Sequence, residues 1–166
     1  MIFNNKKHTT DLYNTLLNLS RNIFFYKDLA LKDNFETRIY LMFIHFSIMM
    51  IVFKKKNKKF DQNSYDSLFH NIENNLRELG HGDVAVNKKM KDLNKVLYDI
   101  LLKIDKNDSK KFEINEKLIL IYFQDLNKAN LSKFKGYFDD FFKFCSELSL
   151  ESMILDAVNF NNYGST

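Results

Sequence analysis

The chain contains no proline and only 4 glycines in 166 residues. Proline and glycine are the residues that most often interrupt helices, so their scarcity favours long helical segments. Hydrophobic residues make up 45% of the chain and include 17 Phe and 8 Tyr, enough for an aromatic core without disulfides or metals. These features predict an all-α single domain, a bundle of about seven or eight helices over residues 11–160, with frayed ends at 1–10 and 161–166.

The most apolar segment is Ile39–Phe53, which reads IYLMFIHFSIMMIVF. It belongs to a helix predicted to start at Asp33, with Glu36 completing a capping box, and to end near Lys55. The segment is about five residues shorter than a comfortable membrane span. A buried central helix is the favoured interpretation, and a helix that can partly expose itself to a membrane or an apolar partner is the alternative. Arg38, near its start, needs a carboxylate partner, for which the candidates are Asp66, Glu73 and Glu78.

Amphipathic stripes at helical spacing mark the other helices. The first should begin near Thr10 or Asp11, and a short second helix should end near Leu29. Asp61 or Asn63 can cap a helix whose apolar stripe runs from Tyr65 to Leu79. The remaining predicted features are a C′ glycine at Gly80, an N-cap at Asp83, and three closing helices at Lys117–Leu126, Leu131–Leu148 and Leu150–Val158.

Few residues are placed for catalysis or metal binding. The four His residues form no HExxH pair, and the single Cys145 has no CxxC partner. We therefore predict no catalytic residue, no metal site and no cofactor. His45 lies in the apolar helix, where a core histidine satisfied by one hydrogen bond is favoured over a haem or metal ligand. Cys145 is expected to be a buried, inert thiol, and a pairing with a distant His is the alternative.

Two lysine clusters carry much of the positive charge, which amounts to a formal net charge of +4. One lies at Lys54–Lys59, and the other comprises Lys88, Lys89 and Lys91. Each is most simply a solvated surface. If folding placed both on one face, the patch would hold eight lysines and would suit a ribosome- or RNA-associated binding module without sequence specificity.

The order of features between Leu12 and Tyr98 resembles the ubiquinol–cytochrome c chaperone family. The most specific part is Leu76–Lys91, LRELGHGDVAVNKKMK, which is similar to the family pattern LREMGxGDxxVxKxMK. Leu79 replaces the Met of that pattern, a conservative change. Prolines that relatives often carry before Phe25 and near Asp33 are absent. Looser matches lie at Leu12-Tyr13, Arg21, Phe25-Tyr26, Asp33, Phe35, Arg38, His45, Phe69, Asn75 and Leu150–Leu155.

The resemblance implies a non-enzymatic assembly chaperone of ubiquinol–cytochrome c reductase that binds newly made cytochrome b, a membrane protein. It also implies contact with other reductase subunits, with a small co-chaperone and with the ribosome, and no specific nucleic acid. The expected location is the bacterial cytoplasm with peripheral contact at the inner membrane (the matrix side in an organelle), because no presequence is visible before the first helix.

The residues expected to bind the partner surround the motif. Two interpretations stay open for them. They form a client-binding surface, or they are structural, with Gly80 as C′ residue, Asp83 as N-cap, and Arg77 and Glu78 in ion pairs. The full predicted set is Arg38, Arg77, Glu78, Gly80, Gly82, Asp83, Lys88 and Lys89.

Overall fold

Helices make up most of the backbone in the computed structural model, which describes residues 2–105 and 111–160, with side chains from Asp11 onward. In those ranges the one β feature is an isolated bridge between Asp105 and Ile114. A π-helical turn lies at Phe24–Asp28 and a 3-10 turn at Ala157–Asn159. The prediction of an all-α bundle is confirmed. The α-helices are α1 (Ile2–Ser20), α2 (Phe35–Lys55), α3 (Gln62–Glu78), α4 (Asp83–Lys103), α5 (Glu116–Tyr122), α6 (Lys128–Glu147) and α7 (Met153–Asp156).

Helix α2 lies at the centre of the domain because it is apolar on nearly every side. Every residue from Leu41 to Met49 is buried, including His45 and Ser47. Helices α1, α4 and α6 pack around it. Helix α2 is long and apolar enough to cross a membrane, but the buried core helix of a globular domain can have the same length and composition. The burial confirms the predicted central helix.

Hydrogen bonds at a constant sequence offset reveal the direction of α6. His45 and Lys56 bond to Tyr137 and Leu148, in each case 92 residues further along the chain. The same offset at two points means that α2 and α6 run parallel. Helix α6 therefore covers one side of α2 from His45 to the C-terminal end of α2.

Helix α4 also runs parallel to α2. Lys89, near the start of α4, bonds to Glu36 in the first turn of α2 at 2.8 Å. Towards the other end, Leu101 and Ile51 line the same groove. The N-termini of α2 and α4 therefore lie at one end of the domain. The C-terminus of α2 lies about 30 Å away, at 1.5 Å of rise per residue.

His45 is held in the core by two hydrogen bonds. Its Nδ1 lies 2.6 Å from the carbonyl oxygen of Leu41, and its Nε2 lies 2.8 Å from the hydroxyl of Tyr137. Since a carbonyl only accepts, Nδ1 donates and Nε2 accepts from the hydroxyl. Burial lowers the pKa of His45 to about 3, so the ring is neutral at physiological pH. The prediction of a core histidine is confirmed, with two hydrogen bonds instead of one.

Aromatic rings fill the space between α6 and the π-helical turn. The ring centroid of Phe25 lies 4.7 Å from that of Tyr137, and the His45 ring lies 4.8 Å from Phe138. Such edge-to-face and offset contacts stabilise the core beyond the area that they bury. Core packing takes most of the aromatic segment, as predicted, leaving two rings half-buried. The buried members are Phe134, Tyr137, Phe138 and Phe141, and the half-buried ones are Phe142 and Phe144.

The start of α1 differs from the prediction. Helix α1 begins at Ile2, well before the expected start near Thr10 or Asp11. A cap-forming residue type does not by itself begin a helix when the preceding residues can continue it. The predicted fraying of residues 1–10 stays a prediction, and the predicted frayed tail at 161–166 lies outside the described residues.

Asparagines, rather than the expected residues, set two other helix starts. Asn34 caps α2 by accepting from the amide of Thr37 at 2.9 Å, so the predicted start at Asp33 is wrong by one residue. Asn127 caps α6 by accepting from the amide of Ala129 at 3.1 Å. Helix α6 therefore begins at Lys128 instead of Leu131. Short asparagine side chains suit this position because they reach the free amides of the first turn.

The other closing helices are shorter than predicted. Helix α5 ends at Tyr122 instead of Leu126, since Phe123 leaves the helical conformation. Helix α7 covers Met153–Asp156 and continues as the 3-10 turn, within the predicted Leu150–Val158.

Mild acid should weaken the fold, because His45 must bind a proton once unfolding exposes it. Its pKa is about 3 in the folded domain and 6.5 when exposed. The stability contributed by the neutral ring is therefore complete above pH 6.5 and is lost as the pH falls toward 3. We expect this group alone to lower the free energy of unfolding by about 2 kcal/mol between pH 7.5 and pH 5. Urea unfolding at a series of pH values measures the effect.

Two glutamine variants provide the control. The His45→Gln variant should have a flatter pH dependence over the same range, whereas His81→Gln, at an exposed position, should keep that of the parent. An equally steep loss in the His45→Gln variant would assign the effect to another group.

Candidate functional site

The connection between α3 and α4 is a tight turn held by two backbone hydrogen bonds. The amide of His81 donates to the carbonyl of Leu76 at 3.3 Å, and the amide of Gly80 donates to the carbonyl of Arg77 at 3.0 Å. This pair of bonds is the Schellman motif, which needs a left-handed residue just after the helix cap. Gly80 supplies it with φ of +95°. The predicted C′ role of Gly80 is confirmed.

Arg77 ties the two sides of this turn together. Its Nη1 lies 3.0 Å from Glu73 on α3, and its Nη2 lies 3.5 Å from Asp83 on α4. Hydrogen bonding to Glu73 raises the pKa of Arg77 further. The predicted N-cap role of Asp83 is wrong. Gly82 is the N-cap of α4, and Asp83 lies in the first turn of that helix. Its carboxylate is engaged by Arg77, so the ion-pair role predicted for Arg77 is confirmed.

Lys89 fixes the start of α4 against the start of α2. Its Nζ lies 2.8 Å from a carboxylate oxygen of Glu36 and 6.0 Å from the ring centre of Phe35. The hydrogen bond from Lys89 lowers the pKa of Glu36. The pair is partly exposed, which makes it worth at most about 1 kcal/mol. It therefore serves more to set the relative position of the two helices than to stabilise them.

A cavity of about 500 Å³ opens between α1, α2 and α3, beside the turn. The side chain of Asn75 donates to the hydroxyl of Tyr13 at 3.1 Å. This bond links α1 to α3 within the lining of the cavity. Its apolar lining residues are Leu17, Phe35, Ile39, Met42 and Leu79, and its polar ones are Tyr13, Arg21, Arg38, Asn75 and Glu78.

Arg38 pairs with the carboxylate of Asp33, which lies just before α2. Its Nη2 and Nε lie 2.7 and 2.8 Å from one oxygen of Asp33. The predicted partners Asp66, Glu73 and Glu78 are therefore wrong. The reason is local, since the residue before the Asn34 cap folds back over the first turn of α2. The pairing holds Arg38 at the cavity.

Two apolar side chains stand exposed on either side of the turn. Leu79 is 60% exposed and Val84 is 85% exposed. Leu79 was expected to complete the buried stripe of α3. It does not, because it is the C-cap residue and the chain turns away from the core after Leu76. Together with the apolar lining of the adjacent cavity, Leu79 and Val84 leave apolar surface accessible at this end of the domain.

Most of the predicted partner-binding residues meet at one end of the domain. Arg77, Gly80, Gly82 and Asp83 build the turn, and Arg38 and Glu78 line the cavity. Lys89 is bonded to α2, and Lys88 is exposed on α4. Prediction missed Tyr13 and Asn75, although both stand in the segments that carry the family resemblance. It also missed Glu36, Leu79 and Val84, whose roles depend on how the helices meet.

The two lysine clusters do not form one patch. Lys89 lies at the start of α2, against Glu36, whereas Lys54–Lys59 lies at the end of α2 and beyond it. The length of α2, about 30 Å, separates them. This distance is three times the screening length at 0.1 M salt, so the clusters act independently. The two clusters therefore do not form the eight-lysine patch that was predicted if both lay on one face.

The two potentially reactive side chains of the core are His45, which is hydrogen-bonded, and Cys145, which is protonated. Both ring nitrogens of His45 are bonded, to Leu41 and Tyr137, so neither faces Cys145. Burial raises the pKa of the Cys145 thiol to about 12, which keeps it protonated at neutral pH. Because the thiolate is the nucleophilic form, Cys145 is inert in the folded domain. No group of three or more metal-binding side chains comes together within residues 11–105 and 111–160.

A family model described as ubiquinol–cytochrome C chaperone matches residues 27–121, more than half of the chain. The matched part includes α2, α3 and α4 and the whole turn between the last two. No curated protein and no solved structure gives a significant match to the chain.

Alanine in place of Gly80 should strain the turn. No neighbouring atom would obstruct the added Cβ, so the cost comes from the positive φ alone. We expect the free energy of unfolding to fall by about 1–2 kcal/mol. Gly82→Ala is the matched control, since Gly82 has an ordinary φ of −73° and open space around it. It should cost less, and equal losses in the two variants would contradict the role given to Gly80.

Proposed function

Because the chain belongs to the ubiquinol–cytochrome c chaperone family, we propose that it assists assembly of ubiquinol–cytochrome c reductase by binding newly made cytochrome b. The observation that carries this proposal is the family match over residues 27–121. We place the binding surface at the end of the domain where α3 meets α4. The protein acts there by holding its client and catalyses no reaction.

Rigidity of the backbone supports this choice of surface. The turn is fixed by its Schellman bonds, by Arg77 between Glu73 and Asp83, and by the bond between Lys89 and Glu36. A binding surface that is already ordered loses little conformational entropy when it takes up a partner. Arg77, Asp83 and Lys89 thus have structural roles and are still accessible to a partner.

The surface also has the chemistry that a membrane-protein client requires. Newly made transmembrane segments are apolar, and they need temporary apolar contacts outside the bilayer. Leu79 and Val84 offer exposed apolar groups, and Phe35 and Met42 line the adjacent cavity. Methionine and aromatic side chains adapt to clients of irregular shape. Arg21, Arg38 and Glu78 provide polar groups for the ends of such segments.

We place this activity at the surface of the membrane that receives cytochrome b. In a bacterium this is the cytoplasmic face of the inner membrane, and in an organelle it is the matrix side. Contact with the membrane is peripheral in this proposal, since α2 is needed in the core. Other reductase subunits, a small co-chaperone and the ribosome are further proposed partners.

Removing the exposed apolar groups should impair client binding without unfolding the domain. We expect the Leu79→Ser, Val84→Ser double variant to reduce assembled reductase at least threefold in cells, measured by native gel and by haem absorbance. Ile121→Ser is the control, because Ile121 is 55% exposed on α5 and does not line the cavity. Normal reductase levels in the double variant would exclude these two residues from the surface.

The basic residues of the surface can be tested separately. Replacing Arg77, Lys88 and Lys89 together with Ala should lower assembled reductase, while circular dichroism still records a folded domain. Their ion pairs are at least partly exposed, so the loss of folding stability should be small. A strongly destabilised triple variant would instead support a structural role for these residues.

Crosslinking from native cells distinguishes this proposal from an RNA-associated module. Crosslinks from Lys88, Lys89 or Lys91 to cytochrome b would support the client and its docking face together. Recovery of ribosomal proteins alone, with binding that collapses at physiological salt, would favour the RNA-associated alternative.

A further inference from the structure

The opposite end of α2 carries a second groove, of about 590 Å³. Its apolar part is formed by Met50 and Ile51 from the last turns of α2, by Phe60 from the connection to α3, and by Leu101 from α4. None of these residues belongs to the turn between α3 and α4. The groove is therefore a surface separate from the proposed client site.

The backbone that follows α2 places lysines around this groove. Asn57 adopts a left-handed conformation with φ of +56°. The amide of Lys58 donates to the carbonyl of Phe53 at 3.0 Å, and the amide of Asn57 donates to that of Lys54 at 3.0 Å. These bonds reverse the chain in a second Schellman motif. As a result Lys54, Lys58 and Lys59 all line the groove.

The side chains of these three lysines differ from those of their neighbours in having no ion-pair or hydrogen-bond partner within residues 11–105 and 111–160. Lys56 donates to the carbonyl of Leu148, and Lys55 lies 5.1 Å from the ring centre of Phe142. Among the carboxylates of residues 11–105 and 111–160, none lies within ion-pairing distance of the three groove lysines. Three positive charges with no carboxylate partner in those ranges, beside an apolar groove, favour an occupant that carries negative charges.

The shape of the groove narrows the choice of occupant. A bilayer surface would be engaged by protruding apolar side chains, whereas here the apolar residues line a concave space. RNA would need a basic stripe with exposed rings for stacking, and Phe60 is packed against Phe46 and Phe53. A concave apolar surface of this size accommodates the few apolar side chains that one face of an amphipathic helix presents at i, i+3 or i+4 and i+7.

We propose that this groove docks an amphipathic helix of a partner protein, with apolar side chains on Met50, Ile51, Phe60 and Leu101 and acidic side chains facing Lys54, Lys58 and Lys59. The charged edge orients the helix and speeds its association. The proposal does not rest on client binding at the α3–α4 turn, so either can fail without the other.

Site-specific photocrosslinking in the native cells tests the proposal. Benzoylphenylalanine at position 101 should form an adduct with a protein segment that mass spectrometry identifies as amphipathic, with two or more acidic residues along one edge. The same probe at position 121 on α5 should not label that segment. An adduct with lipid or RNA, with a segment lacking the acidic edge, or with nothing would overturn the proposal.

A synthetic peptide of the labelled segment then tests the charge pairing. Fluorescence anisotropy should register at least a tenfold weaker affinity for the Lys54→Glu, Lys58→Glu, Lys59→Glu variant. The control Lys95→Glu, Lys117→Glu, Lys133→Glu makes the same change in net charge at exposed positions elsewhere and should change affinity less than twofold. A peptide with its acidic residues changed to Lys should bind the first variant again, which a misfolded protein could not do. Equal affinity of both variants for the acidic peptide would overturn the proposal.

Discussion

The fold depends on covering a helix that has no polar side. Helix α2 is buried from Leu41 to Met49, so other helices must surround it completely. Within this apolar stretch, the polar ring of His45 is accommodated because Leu41 and Tyr137 satisfy both of its nitrogens. An unsatisfied buried polar group would cost about 1–3 kcal/mol. The pairing of His45 with Tyr137 therefore also fixes the register in which α6 lies against α2.

Once α2 is covered, the surfaces at its two ends differ in what they expose. At one end, the turn between α3 and α4 combines fixed ion pairs with exposed apolar side chains. At the other, a reversal at Asn57 brings Lys54, Lys58 and Lys59 to an apolar groove. Both ends use the Schellman motif to turn the chain, but they present different chemistry.

The elements that could be predicted from the sequence are those determined by local patterns. The helical class follows from the scarcity of Gly and Pro. Only a few neighbouring residues determine the apolar α2, the cap at Asp61 and the C′ residue Gly80. The errors arise where several residues compete for one role. Asp33 and Asp83 were expected to cap helices, but each pairs with an arginine, and Asn34 and Gly82 become the caps. The motif predicted the turn between α3 and α4 as a structural element, whereas the exposed position of Leu79 and the distance between the lysine clusters required the packed structure.

The parallel pairing of α2 with α6 has a consequence for how the protein is made. The two helices meet across 92 residues of chain, so α2 leaves the ribosome long before the helix that covers it. Until α6 emerges, one side of α2 stays open to solvent, and that helix is apolar enough to enter a membrane. A chain that ends before Lys128 would keep this side uncovered permanently. During its own synthesis, the protein thus exposes an apolar helix that only a later part of the chain can cover.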